Sequence, residues 1–295
     1  MNVGSILQGA FSLFRERPGA VAVWGLIYLA ADVVLALGTS ALLGTNAYLS
    51  SPMSTFWSSI GQLLLLNLVL LMVVMVLYTA IQRAVLQPGE RGFASLRLGM
   101  DEVRAFLLVI FYVVVFYIGI IFVGVVMALF VGVSLSTGSP ATVWFMIVVQ
   151  FIGLFCLMAW LSVKLSLSFP LTLLRRRFVI GEAWALSKGR FWTLFGAYFV
   201  IFVIIFVLSL VVGLLTQQEY FSAVLQGGFN SESAQQAAYR QYEQRGLSGI
   251  DAMTILNWVL SGALGTIGLT LWGGATATAA REMSGDMEGL TDTFS

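Results

Sequence analysis

Residues 178–195, FVIGEAWALSKGRFWTLF, decide how the rest of the chain is read. A short amphipathic run with a basic turn at Lys188-Gly189-Arg190 leads directly into an apolar segment that continues for more than twenty residues. A segment of that length and composition is a membrane-spanning helix, because about 20 helical residues cross a hydrocarbon core of about 30 Å. The same joint recurs at residues 3–21 and 93–107, each time ahead of long apolar sequence. Phe11, Leu96 and Trp184 correspond, as do Leu13, Leu98 and Leu186, which gives a period of 85 to 88 residues.

Composition agrees with that reading. The 295 residues are 59% hydrophobic and 10% charged, with a mean hydropathy of +0.94, whereas soluble domains carry about 25% charge. There is no histidine and only one cysteine, Cys156, which lies within an apolar run. Imidazole-ligated metals and haem, histidine-based triads, CxxC motifs and intramolecular disulfides are therefore excluded. No glycine loop for phosphates and no G-x-S-x-G elbow occurs, so no cofactor is expected and no catalytic residue is assigned.

Six apolar runs are predicted to span, at about residues 20–43, 60–81, 106–135, 143–174, 191–215 and 253–280. The third and fourth exceed what a crossing needs and are expected to tilt or extend beyond it. The fold class predicted is an all-α integral membrane protein: one domain over residues 1–295, six transmembrane helices, and three repeats of an interfacial helix plus two spans. The repeat units are placed at about 1–87, 88–174 and 175–284, with an external loop at 216–252 and a short acidic tail at 285–295. Within the loop, residues 231–245 (SESAQQAAYRQYEQR) have helix-forming composition.

The charges orient this array. Twelve of the 15 basic residues fall before the first span, between the second and third, between the fourth and fifth, or after the sixth: Arg15, Arg17, Arg83, Arg91, Arg97, Arg104, Arg175, Arg176, Arg177, Lys188, Arg190 and Arg281. Loops 44–59 and 136–142 carry no charge. The positive-inside rule then predicts a multi-pass protein with both termini cytoplasmic. Trp57, Trp144 and Trp258 fall at the outer boundary and Trp184 and Trp192 at the inner one, as aromatic belts do. The first residues place Val3, Ile6, Leu7, Ala10, Phe11 and Phe14 at helical spacing. They are expected to form a helix lying in the interface plane rather than a cleavable signal.

Several polar residues within the spans are candidate sites. Asp32 lies about 18 Å into the first span, where an acid is costly and faces the bundle interior, a partner or water. It reads either as a coupling site of a transporter or as a structural carboxyl. Lys164, about 16 Å before Arg175 along a helix, either pairs with Asp32 or snorkels to the inner headgroups. Asn67, Gln150 and Asn257 occupy similar depths in the second helix of each unit, and a transporter would bring them together with Asp32 around a hydrated path. Ser261, Gly262, Gly265, Gly268, Gly273 and Gly274 give the sixth span a small face suited to close helix packing. Arg175, Arg176, Arg177, Lys188 and Arg190 form the densest basic cluster, a candidate contact for anionic lipid headgroups as well as a topology signal. Arg97, Asp101 and Arg104 share one helix face and are expected to form surface salt bridges there.

The run EAWALSKGRFWTLFGAYFVIFVII, with the elbow LGMDEVR at residues 98–104, resembles bacterial six-span inner-membrane proteins related to the glycerophosphoryl diester phosphodiesterase membrane domain. That resemblance implies a stand-alone membrane domain and carries over no catalytic residue. The expected function is non-enzymatic: a scaffold or accessory module whose partners are membrane lipids or other membrane proteins, with no nucleic acid. A small transporter or channel using Asp32 is the alternative, and a lipid-modifying enzyme stands third.

Overall fold

A computed structural model describes residues 1–43, 53–89, 93–97, 99–137, 140–228, 232–233, 236 and 252–294. Every regular element in them is helical: α1 (Val3–Glu16), α2 (Pro18–Leu43), α3 (Met53–Leu86), a 3-10 turn at Phe93–Ser95, α4 (Met100–Thr137), α5 (Pro140–Leu165), α6 (Ser168–Arg175), α7 (Ile180–Leu186), α8 (Phe191–Thr216), α9 (Gln218–Gly227) and α10 (Ala252–Phe294). Six helical stretches are long and apolar enough to cross a membrane. The chain is an all-α, multi-pass membrane protein, and one end of the helix array, the charged end, carries most of its basic residues.

Helix α10 is the hub. It packs against α1, α2, α3 and α8, and from Thr270 to Ala280 every residue but Trp272 and Thr278 is buried. Small residues allow this. Gly274 lies against the Ala10 backbone, and Gly262 against Leu29, where a Cβ would meet the Leu29 Cδ1 at 2.8 Å. Without a hydrophobic gradient between protein and lipid, such close approach is what holds spans together. The glycines of the sixth span thus serve contacts within this one chain.

Helix α1 starts with a capping box, in which the Ser5 amide donates to Asn2 Oδ1 at 2.7 Å and the Asn2 amide donates to Ser5 Oγ at 3.2 Å. Its apolar face (Ile6, Ala10, Leu13) is buried. The partner of that face differs from expectation. Ser5 donates to Glu282, Gly9 lies beside Thr278, and Leu13 beside Gly274, so α1 runs antiparallel along the charged end of α10. Its amphipathic stripe is satisfied by a neighbouring helix instead of the membrane interface, because Gly9 and Ala10 let the two backbones meet.

Two further departures follow from turn chemistry. The second joint is not a helix over residues 93–107: a 3-10 turn at Phe93–Ser95 precedes α4, which starts at Met100. Ala94 and Ser95 both have positive φ there, 51° and 55°. The fourth span is not one long tilted helix, for it breaks between α5 and α6. Pro170 has no amide to donate back to the Ser166 carbonyl, and the Ser166 hydroxyl donates to the Val163 carbonyl at 2.8 Å at the end of α5. The sequence SLSFP at 166–170 carried that signal. Helix α6 then sits in the middle of the charged half, with Ser168, Pro170, Leu171, Thr172 and Leu173 buried, against α3, α4, α7 and α10.

Helices α4 and α5 form a hairpin that joins the rest only near its charged end. There Leu108, Tyr112 and Leu165 are buried with Phe169 and Trp184 packed on them. Beyond Tyr112, the partly covered positions of α4 (Phe116, Gly119, Val123) form one stripe, as do Ile147, Gln150, Leu154 and Met158 of α5. The stripes face each other, since Met158 packs over Gly119 and Gln150 Nε2 donates to the Val123 carbonyl at 3.2 Å. The remaining sides are bare, with Phe122 69% and Phe151 67% exposed.

Candidate functional site

The charged end holds two constellations, a closed clamp and an open corner. The clamp begins with Arg83 in the last turn of α3, whose side chain is only 3% exposed. Its guanidinium donates to Glu102 Oε1 at 2.6 Å and to the Ser95 carbonyl at 3.0 Å. Glu102 Oε2 accepts the Gly99 amide at 2.8 Å, so both carboxylate oxygens are occupied. Asp101 lies 3.9 Å from Arg83 and takes Arg104 at 2.8 Å. Across the turn, Trp24 Nε1 donates to the Ala94 carbonyl at 2.9 Å, and Arg17 donates to the Pro88 carbonyl at 2.9 Å and Ser95 Oγ at 3.4 Å.

The reason for so many donors is the backbone. Two consecutive non-glycine residues in the left-handed region cost about 1–2 kcal/mol each, and they persist only where the surroundings fix them. Arg17, Trp24 and Arg83 supply that fixing from α2, α3 and the link before α2. Each oxygen of the Glu102 carboxylate accepts one hydrogen bond from within the clamp, an arrangement that fastens the turn to α3 and α4. Replacing Trp24 by Phe keeps the fully buried ring and orphans the Ala94 carbonyl. It is expected to lower stability by about 1–2 kcal/mol, measured as a reduced unfolding midpoint in detergent; an unchanged midpoint would mean that the turn is fixed without it. Sequence reasoning placed Arg83 only among the charges that orient the spans, because its meeting with Glu102 depends on how α3 and α4 pack.

The open corner lies at the junction of α5 and α7. Lys164, in the last turn of α5, has its ammonium 5.8 Å from the centre of the Trp184 ring, and Trp184 meets Trp160 edge-on at 5.2 Å. Trp192, at the start of α8, is 78% exposed. Of the basic cluster that follows α6, Arg177 pairs with Glu182 at 2.6 Å and Arg175 approaches the same carboxylate at 3.9 Å. Both pairs are at the surface, where such bridges contribute little. Arg176 caps α6 in the left-handed conformation, and it and Lys188 are exposed.

Two of the remaining polar residues of the spans make local hydrogen bonds. Asn67 Nδ2 donates to the Leu63 carbonyl of its own helix at 2.8 Å, and Gln150 is used within the α4–α5 hairpin. Asp32 is half-buried on α2, and Asn257 is half-buried near the start of α10. No salt bridge joins Asp32 to Lys164 among the described residues. The side chains of Trp57 and Trp144 and most of residues 231–245 lie outside the described residues. The polar layer that does form was not anticipated: Tyr78 and Gln82 of α3 reach Thr276 Oγ1 at 3.1 and 3.4 Å, and Tyr198 meets Ser166 at 2.9 Å. Each is a hydroxyl or amide within or beside a largely apolar helix, and only the packing shows its partner.

Comparison of the chain with family models, curated proteins and solved structures yields no match.

Proposed function

We propose that this chain is a non-enzymatic scaffold or accessory module of a bacterial inner membrane that organises lipids or membrane partners. The observation that carries this reading is the α4–α5 hairpin. It packs on itself beyond Tyr112 and offers bare apolar sides, such as Phe122 and Phe151, to whatever surrounds it. In the spans, Asn67 and Gln150 spend their hydrogen bonds locally, as groups in a dry helix array do, whereas a transport path needs polar groups facing a common cavity. The charge distribution supports a cytoplasmic location for the charged end and both termini. The elbow at residues 184–192 supports kinship with the glycerophosphoryl diester phosphodiesterase membrane domain as a stand-alone relative.

The test is purification of the full chain in mild detergent, followed by identification of the lipids and proteins that accompany it. Enrichment of a lipid class or a membrane protein over the bulk membrane is expected. Bulk lipid composition with no accompanying protein would overturn the proposal.

A further inference from the structure

Helix α9 begins at the level where a span leaves the hydrocarbon. Helix α8 runs for 26 residues, Phe191–Thr216, which is about 39 Å of helix against a hydrocarbon core of about 30 Å. It starts at the charged end, beside Lys188 and Arg190, so Thr216 reaches the opposite interface. No linker follows. Gln217 closes α8, its amide donating to the Gly213 carbonyl at 2.8 Å, and also opens α9 (Gln218–Gly227). The second helix does not continue the axis of the first. In one straight helix, Gly213 and Phe221 would stand about 12 Å apart along the axis. Here a Cβ on Gly213 would lie 3.1 Å from the Phe221 ring, so α9 turns sharply off α8 at the interface.

Tyr220, Phe221, Val224 and Leu225 share one face of α9, and Gln218, Ser222 and Gln226 fall on the other. Phe221 is seated on α8, and α8 is the element against which α9 packs among the described residues. One turn beyond Phe221, Leu225 is 83% exposed. The apolar row therefore runs outward from α8, whose own last turns leave Val211, Leu214 and Leu215 exposed. In a membrane-spanning helix those leucines face lipid, and the row on α9 continues their surface. Glu219 is the one charged residue in the α9 sequence, so the helix offers no cation to an anionic headgroup.

We infer that α9 docks on the lipid bilayer itself, lying in the interface opposite the charged end with its Phe221–Leu225 row dipped into the edge of the hydrocarbon. An amphipathic helix with a modest apolar face lies in the interface plane in this way. The attraction is apolar and does not depend on headgroup charge. This placement does not rest on the scaffold reading.

The test puts a fluorescent label on each side of α9. The full chain carries Cys156→Ala, to remove its own thiol, with either Leu225→Cys or Gln226→Cys as the labelling site. Both positions are exposed, so neither substitution disturbs the packed part of the fold. Each protein is reconstituted in phosphatidylcholine, with and without phosphatidylglycerol. Lipids bearing a nitroxide near the headgroup or near the chain end report depth, and aqueous iodide reports water. The Leu225 label is expected to be quenched about twofold more by the shallow nitroxide than by the deep one, and about threefold less by iodide than the Gln226 label. Phosphatidylglycerol is expected to change neither ratio. Equal access of iodide to both labels overturns the inference, because α9 then stands in water. A Leu225 label reached by neither iodide nor nitroxide overturns it in favour of a protein cover over that face. Nitroxide quenching that requires phosphatidylglycerol also overturns it, since headgroup charge would then hold the helix. Each of these outcomes leaves the scaffold reading to its own test.

Discussion

Glu102→Ala is expected to destabilise the protein by about 3–5 kcal/mol, the cost of leaving a buried charge without its partner. The magnitude follows from burial. The Arg83 and Glu102 side chains are 3% and 8% exposed and meet at 2.6 Å, and the turn bearing positive φ at Ala94 and Ser95 is fastened to the same guanidinium. Loss of the carboxylate therefore leaves Arg83 only the more distant Asp101 at 3.9 Å as a counter-charge and also frees the Gly99 amide. Removing both charges in an Arg83→Leu, Glu102→Leu double variant should cost less than the single change, since two apolar groups need no counter-charge. The measurement is a double-mutant cycle on unfolding midpoints in mixed micelles. Additive effects of the two substitutions would show that the pair is solvated and contributes no more than a surface bridge.

Gly274→Val is expected to cost about 3 kcal/mol by overpacking the contact between α10 and α1. A Cβ at that position already lies 3.1 Å from the Ala10 Cα and 3.1 Å from Leu13 Cδ1. Backbone cannot swing aside as a long side chain can, so the two γ-carbons of valine would have to separate the helices. Gly153→Ala on α5 is the matched control, because a Cβ there meets nothing within 4 Å. It should be neutral or slightly stabilising, as alanine favours a helix over glycine. A Gly274→Val protein with the wild-type midpoint would mean that α1 is not seated on α10 in the folded state.

How much of this was legible beforehand depends on the kind of interaction. The six apolar helices were readable because one rule governs them: backbone groups in hydrocarbon must be satisfied within the segment. The Trp184–Trp192 joint was readable for a related reason, since a basic turn before an apolar run marks a span boundary whatever it packs against. The amphipathic stripe of α1 was also visible, but not its recipient. An apolar face is served equally by lipid or by a helix, and the contact between Ala10 and Gly274 chose the helix. The break in the fourth span had a local signal in Ser166 and Pro170 that its high hydropathy obscured.

The candidate site shows the same division. Lys164 stood out in the sequence as a cation at the end of a span, and two partners were weighed for it, the Asp32 carboxylate and the headgroup region. Its seat on Trp184 depends on how α7 folds back against α5. The Arg83–Glu102 clamp left no trace at all, because the two residues are nineteen positions apart and each looks like an ordinary charge near a helix end. The sequence by itself determined which segments cross a membrane and which end carries the charge, since both follow from transfer free energies that add along the chain. Only the tertiary structure decided which charges are buried together, which helix covers α1, and that α4 and α5 stand apart as a hairpin. Those outcomes turn on packing of small residues and on pairwise electrostatics, which are set by distance in space rather than by position in the chain.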